Sequence, residues 1–512
     1  MKILEQRWYH VLFRRRIIIS LLLILQVAFL AYLIVDINKY STYINLILHV
    51  LSFLVALRVI AKPGSGAYKM SWVFLILALP LFGGLFYILV TQQTSTKMFV
   101  RKMDEIGQKS KPLFELSSPC NEKAENEFPL YTRQLRYLKQ KGFPAYKNVC
   151  SKYLTPGEEK LKFLLEELKK AEKYIFLEYF IIQEGKMWDL IFNILKEKAE
   201  NGVDVRIIYD DIGCFFLLPA NFKKKLNEIG IKCVVFNPFR PFLSSVQNNR
   251  DHRKIVSIDG KVAFTGGINI ADEYINEFEK HGHWKDASIM IKGDGAWALT
   301  LIFLQMWEIC TGKSENYVYY YPDAMQKFEN YDGYIVPYAD SPLDNAPVSS
   351  DVYMQIVNSA KDYVYINTPY LIIDECMMHS LKTASQSGVD VRIVTPHIWD
   401  KRFVHFTTRS YYKELIESGI KIYEYKPGFI HSKVFVSDDT VATVGTANLD
   451  FRSLYLHFEC GTCIYGKETA NEIKDDFLKT LDKCIQITHN DCKKNFFVTI
   501  LQNIFRLLAP LM

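Results

Sequence analysis

The feature that most constrains the fold of this chain is a polar motif that occurs twice. Residues 252–269 read HRKIVSIDGKVAFTGGIN, and residues 431–448 read HSKVFVSDDTVATVGTAN. In each stretch His, Lys, Asp, Gly and Asn occupy offsets 0, 2, 7, 14 and 17. From typical residue frequencies, a second histidine chosen in advance would match the other four identities roughly once in 10⁵ trials. The match therefore indicates an internal duplication.

The sequence that precedes the two motifs repeats as well. Residues 171–213 and 360–400 both have the pattern of a strand, a helix and a second strand, and in both the second strand is introduced by GVDVRI. The apolar runs at 205–209 and 391–394 are typical of buried strands covered by helices. We therefore expect one α/β fold built twice, as two mixed-sheet units related by a pseudo-two-fold axis, with the two polar motifs meeting at the seam.

The histidines and lysines of the motifs indicate chemistry on a phosphate group. Side chains two residues apart share one face of a strand, so His252 and Lys254 project together, as do His431 and Lys433. Two imidazoles beside two cations suit a tetrahedral anion. One histidine attacks phosphorus to form a phosphohistidine, and the other transfers the protons of the leaving and incoming alcohols. Because the lysines stabilise the phosphoryl charge, no metal or other cofactor is expected.

The motif aspartates and asparagines are further candidate site residues. Asp259 and Asp438 lie where each strand turns back, so they either belong to the catalytic group or hold the hairpin. Asn269 and Asn448 follow the small residues of each motif. Their side-chain amides are predicted to bind the substrate.

A histidine that does this work needs a second group to fix its tautomer. Asp286, in HWKDASIMI, and Glu459, in LHFECGTCI, each begin a strand-like run that we expect to lie beside the hairpin of its own motif. We predict that these carboxylates orient the histidines, and the alternative is a pair of solvated acids at strand ends. No role is predicted for the histidines that have no counterpart, which are His281, His283, His397 and His405.

Three apolar runs near the N-terminus predict transmembrane helices. Residues 17–35 are interrupted only by Ser20 and Gln26 and follow three arginines, which indicates an uncleaved anchor. Residues 43–61 and 72–90 predict a second and a third crossing, with a buried helical hairpin as the alternative. We therefore expect two or three crossings of the bilayer.

The C-terminal sequence and the net charge fit an anionic lipid partner. The tail FFVTILQNIFRLLAPLM has apolar residues on one helical face and a polar stripe on the other, made of Thr499, Gln502, Asn503 and Arg506. This pattern predicts an amphipathic helix lying on a membrane or on the protein body. The formal charge of +6 is compatible with anionic partners without proving one. Cys460 and Cys463 form the one C-x-x-C, which does not by itself make a zinc site.

Taken with these features, the motifs resemble those of the phospholipase D superfamily. The pattern H-x-K-x4-D-x6-G-x2-N, present twice, resembles that superfamily over roughly residues 150–490, and SWVFLILALPLFGGLFYIL, NTPYLI and NLDFRSLYLHFE are similar to segments of bacterial cardiolipin synthases. The resemblance implies that two phosphatidylglycerol molecules are converted to cardiolipin and glycerol. It also implies that His252 is the nucleophile, that His431 is the acid and base, and that the protein is a multi-pass protein of the bacterial cell membrane.

The complete prediction is a set of N-terminal transmembrane α-helices followed by a duplicated α/β phospholipase-D-like fold. The expected boundaries are a membrane module with two to three transmembrane helices at 1–95, a linker at 96–150, a first phospholipase-D-like unit at 151–320, a second unit at 321–490 and an amphipathic helix at 491–512.

Other functions remain open from the residues alone. With water as acceptor the same pocket would make a phospholipase D, and with serine it would make phosphatidylserine. A nuclease would use the same chemistry, but it gives no reason for membrane helices, so nucleic acid is not an expected partner. A non-enzymatic scaffold is expected to have lost a motif histidine or lysine, and both motifs keep theirs.

Overall fold

The computed structural model describes residues 24, 28, 39–62, 64–91, 94–238, 248–328, 333–344 and 346–511. The chain divides into two compact units. The first contains described residues of 1–100, 239–249 and 503–512, and the second contains those of 101–238 and 250–502.

The helices occur in both units. In chain order they are α1 Lys39–Ala61, α2 Gly66–Ala78, α3 Pro80–Thr91, α4 Thr94–Ser110, α5 Asn121–Glu127, α6 Thr132–Gln140, α7 Gly157–Leu168, α8 Lys186–Glu200, α9 Asp211–Cys214, α10 Phe222–Glu228, α11 Asp294–Thr311, α12 Val348–Ser359, α13 Glu375–Gln386, α14 Arg402–Glu417, α15 Phe451–Tyr455, α16 Lys467–Leu481 and α17 Phe496–Leu508.

The predicted N-terminal transmembrane helices are not supported, and this part of the fold-class prediction is wrong. Across the described part of the chain, the structure contains no helix whose length and apolar character together suffice to cross a bilayer. The first predicted span, 17–35, lies outside the described residues except for Ile24 and Ala28. The prediction of a multi-pass location in the cell membrane is therefore wrong as well.

The third predicted span shows a physical reason for the difference. Residues 72–90 are divided between α2 and α3, which have 13 and 12 residues, whereas a crossing needs about 20. Pro80 begins α3, and a proline disfavours helical geometry in the residue before it. Leu79 accordingly has φ −130° and ψ 75°. The second predicted span lies in α1, where Ala56 and Val59 pack in one apolar cluster with Trp72 of α2.

The second unit contains all of the strands that the structure describes. In chain order they are β1 Val149–Leu154, β2 Tyr174–Tyr179, β3 Asp204–Asp210, β4 Lys232–Phe236, β5 Arg250–Asp251, β6 Lys254–Ile258, β7 Val262–Gly266, β8 His283–Lys285, β9 Ser288–Gly293, β10 Tyr334–Asp340, β11 Tyr363–Asn367, β12 Leu371–Ile372, β13 Asp390–Pro396, β14 Lys421–Tyr425, β15 Gly428–Ile430, β16 Val434–Ser437, β17 Val441–Gly445, β18 Leu449–Asp450, β19 His457–Tyr465 and β20 Cys484–Ile487.

The two large sheets of this unit have the same strand order, which shows the duplication directly. One runs β1-β9-β7-β6-β2-β3-β4, and the other runs β10-β19-β17-β16-β11-β13-β14 and adds β20 at its edge. In both sheets a parallel set (β2, β3, β4 and β11, β13, β14) is joined to an antiparallel set. The sheets are therefore mixed, and in each the histidine hairpin, β6–β7 or β16–β17, is the part of the antiparallel set that adjoins the parallel set.

Helices cover the sheets and bury their central strands. Every residue of β2 and of β11 is buried, as expected for strands with helices on both faces. The GVDVRI glycines fit this layout: Gly202 follows α8 and has φ 86°, and Gly388 follows α13 and has φ 97°. Glycine adopts this left-handed geometry readily, so it ends each helix just before the strand.

Two short parallel ladders join the halves at the seam. Strand β5 of the first half pairs with the start of β19, and β15 of the second half pairs with β8. The backbone N–H of His252 donates to the carbonyl of Phe458 at 2.9 Å, and that of His431 donates to the carbonyl of Lys285 at 2.7 Å. Each motif histidine is therefore the first residue after its chain leaves a ladder with the opposite half.

The motif aspartates hold the histidine hairpins to the sheet. Asp259 accepts the backbone N–H groups of Glu172, Lys173 and Tyr174 at 2.7–2.8 Å. Asp438 accepts those of residues 361–363 at 2.8–3.0 Å. Both aspartates have φ 52°, a conformation that Asp tolerates better than most residues. These contacts favour the structural role for the two aspartates over direct participation in the reaction.

We predict that Asp259→Asn weakens the fold. Asparagine also tolerates the left-handed backbone, so the substitution removes the charge and one acceptor without adding strain. Hydrogen bonds to a charged acceptor contribute most when buried, and we expect a loss of about 3 kcal/mol in the free energy of unfolding, measured by chemical denaturation.

The control for this substitution is Asp323→Asn, whose exposed carboxylate pairs with Lys173 at the surface and should change stability little. A stable Asp259→Asn protein that has lost its activity would contradict the structural role and assign the aspartate to the chemistry.

Candidate active site

Each motif histidine is bound by a carboxylate from the opposite half of the fold. The Nδ1 atom of His252 lies 2.9 Å and 3.0 Å from the two carboxylate oxygens of Glu459. The Nδ1 atom of His431 lies 2.6 Å from Oδ2 of Asp286. All four side chains are buried. The two motifs are therefore joined into one site.

This crossed arrangement differs from the expectation that each carboxylate serves its own motif. The strand that follows Asp286, β9, does pair with β7 of its own hairpin, and β19 pairs with β17. The carboxylates nevertheless reach across the seam, because the ladders β5–β19 and β15–β8 bring each histidine beside the opposite strand. Roles for these residues stay predictions.

The carboxylates determine which histidine nitrogen is available for chemistry. An ionised carboxylate can only accept hydrogen bonds, so the Nδ1 atoms of His252 and His431 carry the hydrogen. The lone pair of each neutral ring is then on Nε2. This is the atom that can attack phosphorus or exchange a proton with an alcohol.

The motif lysines are held beside the histidines by the backbone. The ammonium groups of Lys254 and Lys433 donate to the carbonyl oxygens of His252 and His431 respectively, two residues earlier in each motif. Both lysines are buried. Burial lowers the pKa of Lys254 to about 8 and that of Lys433 to about 7, although Glu459 and Asp286 oppose the shift.

Burial and the lysine charges keep the histidines neutral. Burial, reinforced by Lys254 and Lys433, lowers the pKa of His252 well below its ordinary value. The same two causes lower the pKa of His431 to about 4, with Asp286 acting in the opposite direction. A phosphodiester anion between these groups would offset the lysine charges and raise both histidine pKa values.

The two asparagines have different surroundings. Asn269 accepts the backbone N–H of Ile181 at 3.1 Å and donates to the Tyr274 hydroxyl at 2.7 Å. Asn448 donates to Asp450 at 3.0 Å, and its buried Oδ1 has no hydrogen-bond partner among the described residues. Substrate binding by these amides stays a prediction. Both ends of the Asn269 amide are hydrogen-bonded within the protein, whereas the Oδ1 atom of Asn448 could still accept a hydrogen bond from a substrate.

The small residues after each hairpin make room for the carboxylates. A Cβ on Gly267 would lie 2.1 Å from Oδ1 of Asp286, so a larger residue there would displace the carboxylate. At the equivalent place in the second motif, the Thr446 hydroxyl donates to Glu459. Gly267 therefore leaves the space that the Asp286 carboxylate occupies.

Several polar residues at the seam were not identified from the sequence. Arg253 donates to the carbonyls of Glu459 and Asp340 at 3.2 Å and so binds both neighbouring strands of the second half. His457 lies with its ring centroid 5.5 Å from that of His252. A residue-by-residue alignment of the two repeats could have identified them, because the repeats differ at both positions. Arg253 aligns with Ser432, and His457 aligns with Trp284.

The histidines without a counterpart make other contacts. His397 lies 2.9 Å from Glu424, and His283 lies 3.1 Å from the Tyr425 hydroxyl. Neither contact involves a motif residue.

A duplicated α/β fold with two H-x-K motifs bound to crossed carboxylates is a phospholipase-D-type fold. The family model described as "Cardiolipin synthase, PLD-like domain" matches residues 164–284 and 353–481. A cardiolipin synthase of Geobacillus thermodenitrificans is 35% identical over 87% of this chain and 89% of its own length. The chain belongs to the cardiolipin synthase family.

Two further comparisons found similar chains. An uncharacterised protein of Streptococcus mutans is 43% identical over 86% of this chain and 96% of its own length. The crystal structure of phosphatidylserine synthase from Haemophilus influenzae covers 74% of this chain and 98% of its own, with a TM-score of 0.55 and 16% sequence identity. At that identity the solved structure supports the fold alone.

We predict that Asp286→Asn perturbs His431 and that Glu459→Gln perturbs His252. Each substitution replaces a carboxylate that can only accept with an amide whose NH2 can donate to Nδ1, so the ring loses its single tautomer. Imidazole ¹⁵N spectra report the tautomer of each histidine separately. We expect activity to fall by about 10²–10⁴-fold in either variant, as for other histidines that lose an orienting carboxylate. A change in His252 upon Asp286→Asn, with His431 unaltered, would disprove the crossed pairing.

We also predict that kcat/KM falls as the pH rises above about 7. A lowered lysine pKa means that the charge is present below that pKa and lost above it, and Lys433 is the first to lose its proton. The fall should approach about tenfold for each pH unit. In Lys433→Arg the guanidinium stays charged, so the alkaline fall in kcat/KM should shift to higher pH, towards the pKa of Lys254. Lys232→Arg, which alters an exposed lysine, is the control. If kcat/KM falls at the same pH in the wild type and in both variants, the fall does not come from Lys433.

Proposed function

We propose that this chain transfers a phosphatidyl group between two phosphatidylglycerol molecules to give cardiolipin and glycerol. The observation that carries the proposal is the pair of crossed histidine–carboxylate contacts, His252 with Glu459 and His431 with Asp286. Sequence identity of 31–35% to several cardiolipin synthases over most of the chain supports the choice of substrate.

In the first step, Nε2 of His252 attacks the phosphorus of one phosphatidylglycerol. The bond from phosphorus to the glycerol oxygen breaks, and His431, protonated when the anionic substrate binds, gives its Nε2 proton to the leaving glycerol. The product is a phosphatidyl group bonded to His252. Lys254 and Lys433 stabilise the negative charge on the phosphoryl oxygens.

In the second step, His431 acts as a base towards the second phosphatidylglycerol. It removes the proton from a glycerol hydroxyl, the oxygen attacks phosphorus, and the bond to His252 breaks. Cardiolipin forms with His252 neutral and His431 protonated, the state in which the first substrate was bound. The cycle is balanced without a metal because the protein supplies both the proton carrier and the cations.

The C-terminal helix supports a lipid surface as the source of the substrate. On α17 the buried side chain is Gln502, which donates to the carbonyl of Phe406 at 3.0 Å. The apolar side chains Phe496, Phe497 and Ile504 are exposed by 73%, 79% and 41%. The polar residue thus faces the protein, and the apolar residues are available to contact lipid.

We predict that purified protein converts labelled phosphatidylglycerol to cardiolipin and free glycerol in equal amounts. His252→Ala should abolish transfer, and quenching of the wild type with detergent at neutral pH, where the P–N bond is stable, should trap a phosphatidyl group on His252. Product analysis by mass spectrometry measures the first, and peptide mapping measures the second.

The control is His489→Ala, which alters an exposed histidine 3.2 Å from Glu417 and should leave turnover unchanged. Phosphatidic acid as the main product would show hydrolysis in place of transfer. Phosphatidylserine as the main product with serine present would show a different acceptor. Unchanged turnover in His252→Ala would refute the mechanism.

A further inference from the structure

His457 is a buried histidine that the proposed reaction does not use. It lies two residues before Glu459 in β19, and residues two apart share a face of the strand. The residue is 7% exposed, and neither ring nitrogen has a hydrogen-bond partner among the described residues. Its Nδ1 atom is 3.7 Å from Oε1 of Glu459, too far for a hydrogen bond. A buried polar group without a partner is costly and calls for an explanation.

The ligand atoms around His457 have the spacing of a metal site. One atom each from His252, His457 and Glu459 lie within 4.8 Å of one another. Tetrahedral zinc with bonds of about 2.0–2.1 Å holds its ligand atoms about 3.3 Å apart. The observed separations of 2.9 Å and 3.7 Å from Glu459 Oε1 to the two Nδ1 atoms bracket that value. Both separations that involve Glu459 are therefore close to tetrahedral spacing, and the two histidine ligand atoms lie within 4.8 Å of each other.

The surroundings of Glu459 suit a ligand. Its other oxygen, Oε2, accepts the hydroxyl of Thr446. Hydrogen bonds of this kind orient a ligating carboxylate and are a regular part of metal sites. The donor set of two imidazoles and one carboxylate is one that zinc uses where it leaves a fourth position open.

The second half of the fold offers an internal comparison. Trp284 takes the place of His457 there and lies 5.3 Å, ring to ring, from His431, against 5.5 Å for His457 and His252. An indole does not ligate a metal. The pair His431 and Asp286 therefore lacks the third ligand that the pair His252 and Glu459 has.

We propose that His252, His457 and Glu459 form an inhibitory site for Zn²⁺ or a similar divalent transition metal. The metal takes the lone pair of Nδ1 on His252, and the proton that Nδ1 carried moves through water to Nε2. The ring stays neutral, but Nε2 no longer has the lone pair that would attack phosphorus. Metal binding and phosphatidyl transfer are thus mutually exclusive at His252. Only the inhibition, not the binding of metal, rests on the proposed function.

The binding is tested on the full-length protein with Zn²⁺ by calorimetry and with Co²⁺ by absorption spectroscopy. We expect one site per chain with the Co²⁺ spectrum of nitrogen and oxygen donors, without the charge-transfer band of a thiolate. His457→Phe, which preserves an aromatic ring, should weaken binding by more than about 100-fold, since a lost ligand costs more than a lost outer contact. His489→Ala is the matched control and should bind as the wild type does.

Inhibition is measured as the ratio of transfer rates with and without Zn²⁺, each variant being compared with its own metal-free rate. The concentration for half inhibition should rise by more than about 100-fold in His457→Phe and stay constant in His489→Ala, in proportion to the lost affinity. Circular dichroism checks folding, and His457→Gln replaces the phenylalanine variant if that variant unfolds.

Three outcomes would overturn the proposal. The first is no stoichiometric binding by the wild type, and the second is wild-type affinity in both folded His457 variants. The third is a thiolate band that disappears when one of the cysteines is replaced. Specific binding without an effect on transfer would instead retain the site and count against His252 as the nucleophile.

Discussion

The exchange of carboxylates across the seam is the interaction on which the site depends. His252 and His431 are buried, and each would lack a fixed tautomer without a carboxylate that only the other half provides. A buried carboxylate in turn needs a donor, because an unpaired buried charge is among the most costly features of a fold. Each half therefore supplies what the other requires, since neither motif histidine has its carboxylate partner in its own half. Duplication is in this sense a condition of the chemistry.

The short ladders explain how each carboxylate is positioned beside the histidine of the opposite half. In each half, the chain pairs with the opposite half through two or three residues and then enters the histidine strand. Backbone hydrogen bonds fix the register of a ladder, so the histidine and the opposing carboxylate have little freedom to separate. The aspartate at the far end of each hairpin binds three backbone amides and fixes the other end of the same strand. Each histidine strand is thus held at both ends, by the ladder beside the histidine and by the aspartate that binds the backbone amides.

The sequence predicted the duplicated fold well because its signals are local and repeated. The histidine hairpins and the strands introduced by GVDVRI depend on hydrophobic pattern and turn residues, which a sequence shows directly. It identified Asp286 and Glu459 by position but not their partners, since a crossed contact depends on how two units dock. It failed for the membrane helices, where apolar composition alone was read as a span although Pro80 divides one of the runs. It also passed over His457, because burial without a partner is visible only in three dimensions.

The two halves share a backbone plan but differ in their polar residues, and this difference bears on the division of labour between the histidines. The first half has a buried layer of two carboxylates and one guanidinium, at positions where the second half has uncharged residues; the pairs are Glu178 and Asn367, Asp251 and Ile430, and Arg253 and Ser432. Burial raises the pKa of Asp251 to about 6 and that of Glu178 well above its usual range, each opposed by Arg253.

This charged layer adjoins His252, since Asp251 precedes it and Arg253 follows it in the chain. Arg253 also donates to the carbonyl of Glu459, the residue whose carboxylate contacts Nδ1 of that histidine. The chain neighbours of His252 are thus a buried carboxylate and a guanidinium that binds the strand of Glu459, whereas the equivalent positions beside His431 are apolar or neutral. A nucleophile that must hold its position through two displacements needs the more rigid surroundings, and a proton carrier does not. The asymmetry therefore favours His252 as the residue that is covalently modified.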